Sequence, residues 1–577
     1  MNPFGDMLRI YAERNPKGVS IYYGTDRKET WKELNDRVNS LANALSDIGV
    51  KKDDKGIVMF HNCPEFIESV CALQKLGAIP CPMNYRFVPR EIEYQTNLSD
   101  SKVFLMEDLW LENVRKARPN MPKVENYIVL NNPEERMLDY EGLIKEYPSR
   151  EPDVEVGVED PCLISFTGGT TGMPKGVVLT YNGFIKEMEG TITTTLKVLP
   201  TLKLPKMRLP ILFGSTIGEI IGSDITNNFL HRPIIQKMLS DPNFSKIILN
   251  RVLPLIRGRL HLEFKFLLPG PLFHLGTFGM VPLIFIPTGI FPLVLPVSTK
   301  FNPEEVVDLI DRLKISAVVM SPTMYSKVLD SSNIDKCGGS SVFLLVIGMA
   351  TGSKKLKGRI FEKFPNAIML DAFGQTEMHP ATTIKIDSAA QVGKIRDKSV
   401  GVAVSGVEIR IVNERGEDVK PGETGELIYR GPTMMKGYYG DINKTSEAIK
   451  DGWFYSGDLG YLDEDGEVHI VERKTETINV GGEKIYPHEV EEILGSNSKV
   501  EHACLIGILD ETYGKIPRAV IQLKEGEEAT EEEMIDFCRG KMAGFKRPKS
   551  VVFVEDIPLN PVGKALRREV EKKYGGK

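Results

Sequence analysis

Apolar positions alternate between helical and strand spacing along most of the chain. TWKELNDRVNSLANALSDIG carries its apolar residues on one helical face, opens on a Thr cap and closes on Gly49. KGIVMF follows as an apolar strand, then CPEFIESVCALQKLGAIP as a helix and turn. FNPEEVVDLIDRLKIS predicts a capped helix leading into the strand AVVM, and SVFLLVIG and NAIMLDAFG predict further buried strands. Such alternation predicts α/β sheets with helices packed on them. From about residue 400 the pattern shifts to short strands, VEIRIVN, GELIYRG and GEVHIVERK, between Gly- and Asp-rich turns. After about residue 475 a compact α+β segment begins, with HEVEEILGS, ACLIGILDE, AVIQLKEG, the helix TEEEMIDFCRGKM and the strand SVVFVEDI. The expected fold class is α/β. A large N-terminal domain of α/β sheets with a small β-rich subdomain spans 1–472, and a small α+β C-terminal domain spans 473–577.

One segment tests this picture. Residues 278–297, FGMVPLIFIPTGIFPLVLPV, are twenty residues without a charge, which is a membrane-spanning length. Pro282, Pro287, Pro292 and Pro296 would break an isolated helix repeatedly, so a buried helix start followed by a buried strand is expected. Composition supports a globular chain: 577 residues, 41% hydrophobic and 26% charged, long enough for two or more domains. The net charge of −6 argues against nucleic acid as the main partner. Seven scattered cysteines with no CxxC suggest neither a disulfide framework nor a structural zinc site. The opening MNPFGDMLRIYAERNP has no signal-peptide core, so a cytoplasmic location is expected.

The densest chemistry lies at 166–180, FTGGTTGMPKGVVLT, directly after the apolar strand CLISF. Glycines allow a tight turn whose N–H groups converge on an anion. Thr167, Thr170 and Thr171 add hydroxyl donors around Gly168, Gly169 and Gly172, and Lys175 adds a charge. This is not the P-loop of nucleotide kinases, because Lys175 follows Pro174 and precedes Gly176 instead of Ser or Thr. Proline sets an extended corner there, not a helix start. Phosphate binding is the expected role. Further along, Asp371-Ala372-Phe373-Gly374-Gln375-Thr376-Glu377 ends a strand on a turn with a carboxylate, and Tyr455-Ser456-Gly457-Asp458 presents another. Arg473 lies in VERKTET, Gly481 and Gly482 in GGEK, and Lys564 in LNPVGKALRR.

In this order, FTGGTTGMPKG, PLFHLG, FGQTE, YSGDLG, ERK, GGEKIYP and NPVGKALR resemble the adenylate-forming superfamily. That superfamily comprises acyl-CoA synthetases, adenylation domains of peptide synthetases and beetle luciferases. The resemblance covers about residues 5 to 575, and is greatest to fatty-acid–CoA ligases. It implies an enzyme that joins a carboxylic acid to AMP from ATP, releases pyrophosphate, and passes the acyl group to coenzyme A. By resemblance, Thr167 to Lys175 would hold the β- and γ-phosphates, Thr376 would donate to the α-phosphate and Glu377 would carry Mg²⁺. Asp458 would accept the ribose hydroxyls, with Arg473 supporting. Ala350 and Asp371-Ala372-Phe373-Gly374 would frame the adenine. His274 and Gly348 would line the acyl pocket, and Lys564 would stabilise the adenylation transition state. The C-terminal domain would be a mobile lid hinged at Glu472 to Thr475, bringing Lys564 for one half-reaction and the Gly481-Gly482 turn toward the pantetheine thiol for the other.

Three departures from the pattern stand out: Gly168 where relatives carry Ser, Thr475 at the hinge, and Met349-Ala350-Thr351 after Gly348. Gly168 also occurs in long-chain fatty acid synthetases of this superfamily, and no charged residue in the pocket segments announces an amino-acid substrate. A medium- or long-chain fatty acid is therefore the expected substrate. Residues 200–270 carry ten Lys/Arg against four Asp/Glu, a local +6, interleaved with apolar runs. This basic insertion either docks on an anionic membrane surface, at the inner face, or packs as a hairpin with a solvated basic face. A homodimer is left open. The alternatives are an acyl-adenylate donor to a carrier protein, an aromatic-acid–CoA ligase, and a non-enzymatic membrane-bound acyl or nucleotide sensor.

Overall fold

The first long helix forms as its sequence predicts. The Thr30 side chain accepts the Glu33 N–H, and the Glu33 carboxylate accepts the Thr30 N–H, a reciprocal cap for the helix Trp31–Asp47. Leu34, Val38, Leu41 and Leu45 are buried along one face, and Gly49 turns the chain out at φ +96°. In this computed structural model the described residues are 3–576, apart from 168–173, 204–231, 240–263, 290, 350–351, 397–398, 475, 481–482, 511–513, 540, 543, 545 and 561–562.

The chain divides into two compact units. The first comprises Met1–Glu408 and Tyr429–Phe454. One of its sheets is parallel throughout, in the order Ile79–Pro82, Lys55–Met59, Val103–Glu107, Asn126–Leu130, Leu138–Asp139. Another includes, in order, Ser399–Ala403, Ala381–Ser388, Ile368–Gly374, Leu344–Ile347, Ala317–Met320, Phe266–Leu267, Leu293–Leu295, Val19–Tyr23, Arg27–Thr30. Its run from Ile368–Gly374 to Val19–Tyr23 is parallel. Parallel strands deliver all their C-terminal ends to one edge, where ligands of open α/β sheets bind. The segments emerging at that edge include Leu268–His274, Gly348-Met349 and Gln375–Glu377.

The apolar segment 278–297 meets its expectation. It continues the short helix Leu275–Phe278 into a wide turn at Val281–Phe285, a last turn at Ile286–Thr288, and the buried strand Leu293–Leu295. Among the described residues no helix is long and apolar enough to cross a membrane. All seven cysteines are buried and free. Most of the basic insertion, 204–231 and 240–263, lies outside the described residues, and so do both readings of it, membrane docking and a packed hairpin.

The second unit comprises Ile409–Ile428 and Tyr455–Lys577. The predicted β-rich strands thus group with the C-terminal segment, not with the first unit. Within this unit Trp453–Leu462 pairs antiparallel with Val468–Arg473, which leads into the C-terminal segment. In that segment Val500–Asp510 pairs antiparallel with Gly514–Leu523, which pairs parallel with Ser550–Val554. The helices Pro487–Gly495, Glu531–Phe537 and Arg567–Tyr574 accompany it.

Candidate active site

The glycine-rich segment joins two antiparallel strands. Pro161–Thr167 pairs antiparallel with Lys175–Thr180, and Thr167 and Lys175 are the last register partners before the loop. Lys175 therefore starts a strand, as the proline before it predicts. Gly168, Gly169, Thr170, Thr171 and Gly172 lie outside the described residues. The short strand Gly437–Tyr438 pairs with Val177 and Val178 on the lysine's strand. This pairing sets the Lys175 ammonium 4.5 Å from the centroid of the Tyr438 ring, a cation–π contact. The Tyr438 hydroxyl in turn donates to Oε1 of Glu377 at 3.0 Å. One phenol thus bridges a cation suited to phosphate and a hard carboxylate suited to a divalent ion. Glu377 and Thr376 are part-exposed on their turn, open to a ligand.

That turn is held from below by His379, which the sequence reading missed. His379 is fully buried, in the left-handed region at φ +65°. Its Nδ1 lies 2.6 Å from the carbonyl oxygen of Thr433, and its Nε2 accepts the Thr180 N–H at 3.1 Å. Only a neutral ring with its proton on Nδ1 satisfies both, and burial lowers the pKa to about 4. Three segments meet on one imidazole: the end of the hairpin strand Lys175–Thr180, the Glu377 turn and the chain leading to Tyr438. Gly183 is required beside it, since a Cβ there would stand 2.1 Å from Nε2.

Asp371 ends its strand in a buried ion triad. Lys357 Nζ lies 2.7 Å from Asp371 and 2.9 Å from Asp387, and each of the three side chains is under a tenth exposed. Burial opposes the charge of Lys357, but the two carboxylates outweigh it and raise its pKa. The Asp371 side chain is thus committed to Lys357, and its backbone is what remains to frame a base beside the part-exposed Ala372, Phe373 and Gly374. Ala350 lies outside the described residues. Met349, at φ +68°, packs against Gly276, where an added Cβ would meet its side chain at 2.7 Å. His274 accepts the Gly276 N–H on Nδ1, leaving the proton of its neutral form on Nε2. Burial lowers the His274 pKa, which keeps it neutral. Gly348 approaches the Ala372 carbonyl, 3.3 Å from the position of a Cβ. Tyr325 is packing, its hydroxyl donating to the carbonyls of Val318 and Val346.

In the second unit Asp458 and Arg473 are register partners, joined by an Nε–Oδ1 contact of 2.7 Å. Arg473 also donates to the Ser456 carbonyl, and Gly457 turns the chain at φ +73°. Lys564 is exposed on a turn closed by Asn560, whose side chain accepts the Lys564 N–H. Gly481, Gly482 and Thr475 lie outside the described residues. Tyr438, His379 and Lys357 carried no motif signal. The residues next to them along the chain give no hint of a polar partner brought in from far away.

A parallel α/β unit with a glycine-rich hairpin, a lysine and a glutamate turn at its strand ends defines a nucleotide-handling enzyme class. The AMP-binding enzyme profile matches residues 8–210 and 243–439, and the AMP-binding enzyme C-terminal domain matches 489–564. The chain belongs to the AMP-binding enzyme family. It is 28% identical to a feruloyl-CoA synthase of Amycolatopsis sp over 98% of this chain and 97% of that protein. It is 27% identical to 4-coumarate–CoA ligase 1 of Solanum tuberosum over 97% and 91%. Among solved structures it resembles an anthranilate CoA ligase in complex with anthranoyl-AMP, with a TM-score of 0.78 at 22% identity over 99% and 97% of the two chains. A Mycobacterium tuberculosis fatty acyl CoA synthetase gives 0.68 at 22% over 99% and 98%.

Proposed function

We propose that the protein is an AMP-forming acid–CoA ligase. The carrying observation is the Lys175–Tyr438–Glu377 arrangement at the mouth of the phosphate hairpin. In the first half-reaction the substrate carboxylate attacks the α-phosphorus of ATP and pyrophosphate leaves. Lys175 and the hairpin N–H groups neutralise the departing phosphates, and Thr376 donates to the α-phosphate. Glu377, part-exposed and steadied by Tyr438, fits a hard divalent ion; Mg²⁺ held there would lend positive charge to the phosphate oxygens. Asp458 accepts the ribose hydroxyls, its carboxylate oriented by Arg473, and Lys564 balances charge as the adenylate forms. The thiol of coenzyme A then attacks the acyl carbon past the Gly481-Gly482 turn, and AMP leaves. Residues 473–577 act as the lid that exchanges these two sets.

For the acid, we favour an aryl substrate. Relatives named for ferulate and coumarate align with nearly the whole chain, at 27–28% identity. The fatty acid expected from the sequence is the second reading, favoured by Gly168. Neutral His274, with its proton on Nε2, is the donor available to the acid's carboxylate or carbonyl. The test is pyrophosphate release from ATP and Mg²⁺ with ferulate, 4-coumarate, benzoate and saturated acids from acetate to palmitate, with and without coenzyme A. CoA-stimulated turnover supports the ligase, and its peak assigns the acid. A burst indifferent to CoA would mean an adenylate donor to a carrier protein, and silence with intact ATP binding would mean a sensor.

A further inference from the structure

Away from the nucleotide residues, three metal-ligating side chains meet in the interior of the first unit. His61 and Cys63 sit on the turn that follows the strand Lys55–Met59, and Glu107 ends the neighbouring parallel strand Val103–Glu107. Parallel register places those two strand ends side by side. His61 is 8% exposed, and Cys63 and Glu107 are 2% exposed. The His61 Nδ1, the Cys63 Sγ and a Glu107 oxygen all lie within 4.8 Å of one another. Nδ1 is 2.7 Å from Oε1 and Sγ is 3.5 Å from it. On its far side His61 Nε2 contacts the Tyr23 hydroxyl at 2.8 Å.

We propose that His61, Cys63 and Glu107 bind Zn²⁺ as three of its four tetrahedral ligands. A tetrahedral zinc with ordinary N, O and S bond lengths holds its ligand atoms roughly 3.3–3.6 Å apart. The sulfur–oxygen distance already matches, and the nitrogen–oxygen distance has to open by about 0.6 Å on that estimate. Thiolate, imidazole and carboxylate together select zinc over the hard ions that suit Glu377. Charge favours it as well. Zn²⁺ with one thiolate, one carboxylate and a neutral imidazole sums to zero, so no net charge is buried at the site. Binding releases the Cys63 thiol proton to solvent, and the imidazole proton moves from Nδ1 to Nε2. The Tyr23 oxygen then accepts it, the outer contact that orients a ligating histidine.

The site has an evident purpose. Asn62, between the two ligands, donates to the carbonyls of Leu268 and Gly270 and accepts the Leu272 N–H. These bonds hold the loop that carries His274. A metal fixing His61 and Cys63 would brace that clamp, and so the wall of the acyl pocket, from behind.

The full-length protein is stripped with a chelator without nucleotide and titrated with Zn²⁺, then Co²⁺, with metal content, thermal melting and the absorption spectrum as readouts. Expected are about one tightly held zinc per chain, a raised melting temperature, and a thiolate-to-cobalt charge-transfer band. Cys63→Ser loses the band. Tyr23→Phe keeps all three ligands, folds, and binds about 10–100-fold more weakly. Absence of tight zinc from the refolded wild type, or a cobalt band that survives in Cys63→Ser, overturns the proposal. If Cys63→Ser does not fold, unchanged affinity in Tyr23→Phe overturns it equally.

Discussion

Acidification should loosen the support of the Glu377 turn through one residue. In the folded chain the His379 pKa is about 4, against an ordinary value of 6.5. Because the folded value is depressed, the unfolded chain takes up the proton first. Stability is complete above about pH 6.5 and is lost as pH falls toward 4. A gap of about 2.5 pH units at about 1.4 kcal/mol each amounts to about 3 kcal/mol, of which about 2 kcal/mol falls between pH 7 and pH 5. The cause of the depression is burial of the ring, and in the folded chain a proton added to Nε2 would also face the Thr180 N–H donor. Other buried groups act in the opposite sense. Burial raises the pKa of Glu187, so acid relieves it. The assay is therefore a comparison, urea unfolding of the wild type and of His379→Asn at pH 7 and pH 5. Asparagine tolerates the left-handed backbone and does not titrate. The wild type should lose about 2 kcal/mol more than the variant over that interval. Equal losses would refute the assignment of a neutral, doubly bonded imidazole.

Tyr438→Phe keeps the ring under Lys175 but removes the donor to Glu377, and should cost about 1–2 kcal/mol of transition-state stabilisation. Adenylation kinetics against Mg²⁺ concentration should show kcat/KM for ATP about 10-fold lower and a raised Mg²⁺ requirement; an unchanged Mg²⁺ curve contradicts the bridge. Lys357→Met leaves Asp371 and Asp387 buried and unpaired, and should destabilise by about 3–5 kcal/mol in denaturant melts; a loss under about 1 kcal/mol would show that the triad relaxes. Lys564→Ala should slow pyrophosphate exchange by about 100-fold or more while sparing transfer to CoA from a supplied acyl-adenylate. Equal loss of both steps would contradict its assignment to adenylation.

Sequence alone determined the elements whose causes are local. The Thr30 cap, the amphipathic Trp31–Asp47 face, the four prolines that divide residues 278–297 and the strand start at Lys175 all follow from neighbours a few residues apart. The ordered glycine, lysine and carboxylate motifs were legible for the same reason, since each is a short turn with its chemistry in the turn. Tertiary structure alone decided which distant residues stand behind those turns. Tyr438 reaches Glu377 across 61 positions, and His379 reaches Thr180 across 199. The Asp371 side chain pairs with Lys357, which also pairs with Asp387. A buried polar side chain must find its partner wherever the fold brings one, and nothing in its own neighbourhood along the chain records which partner that is.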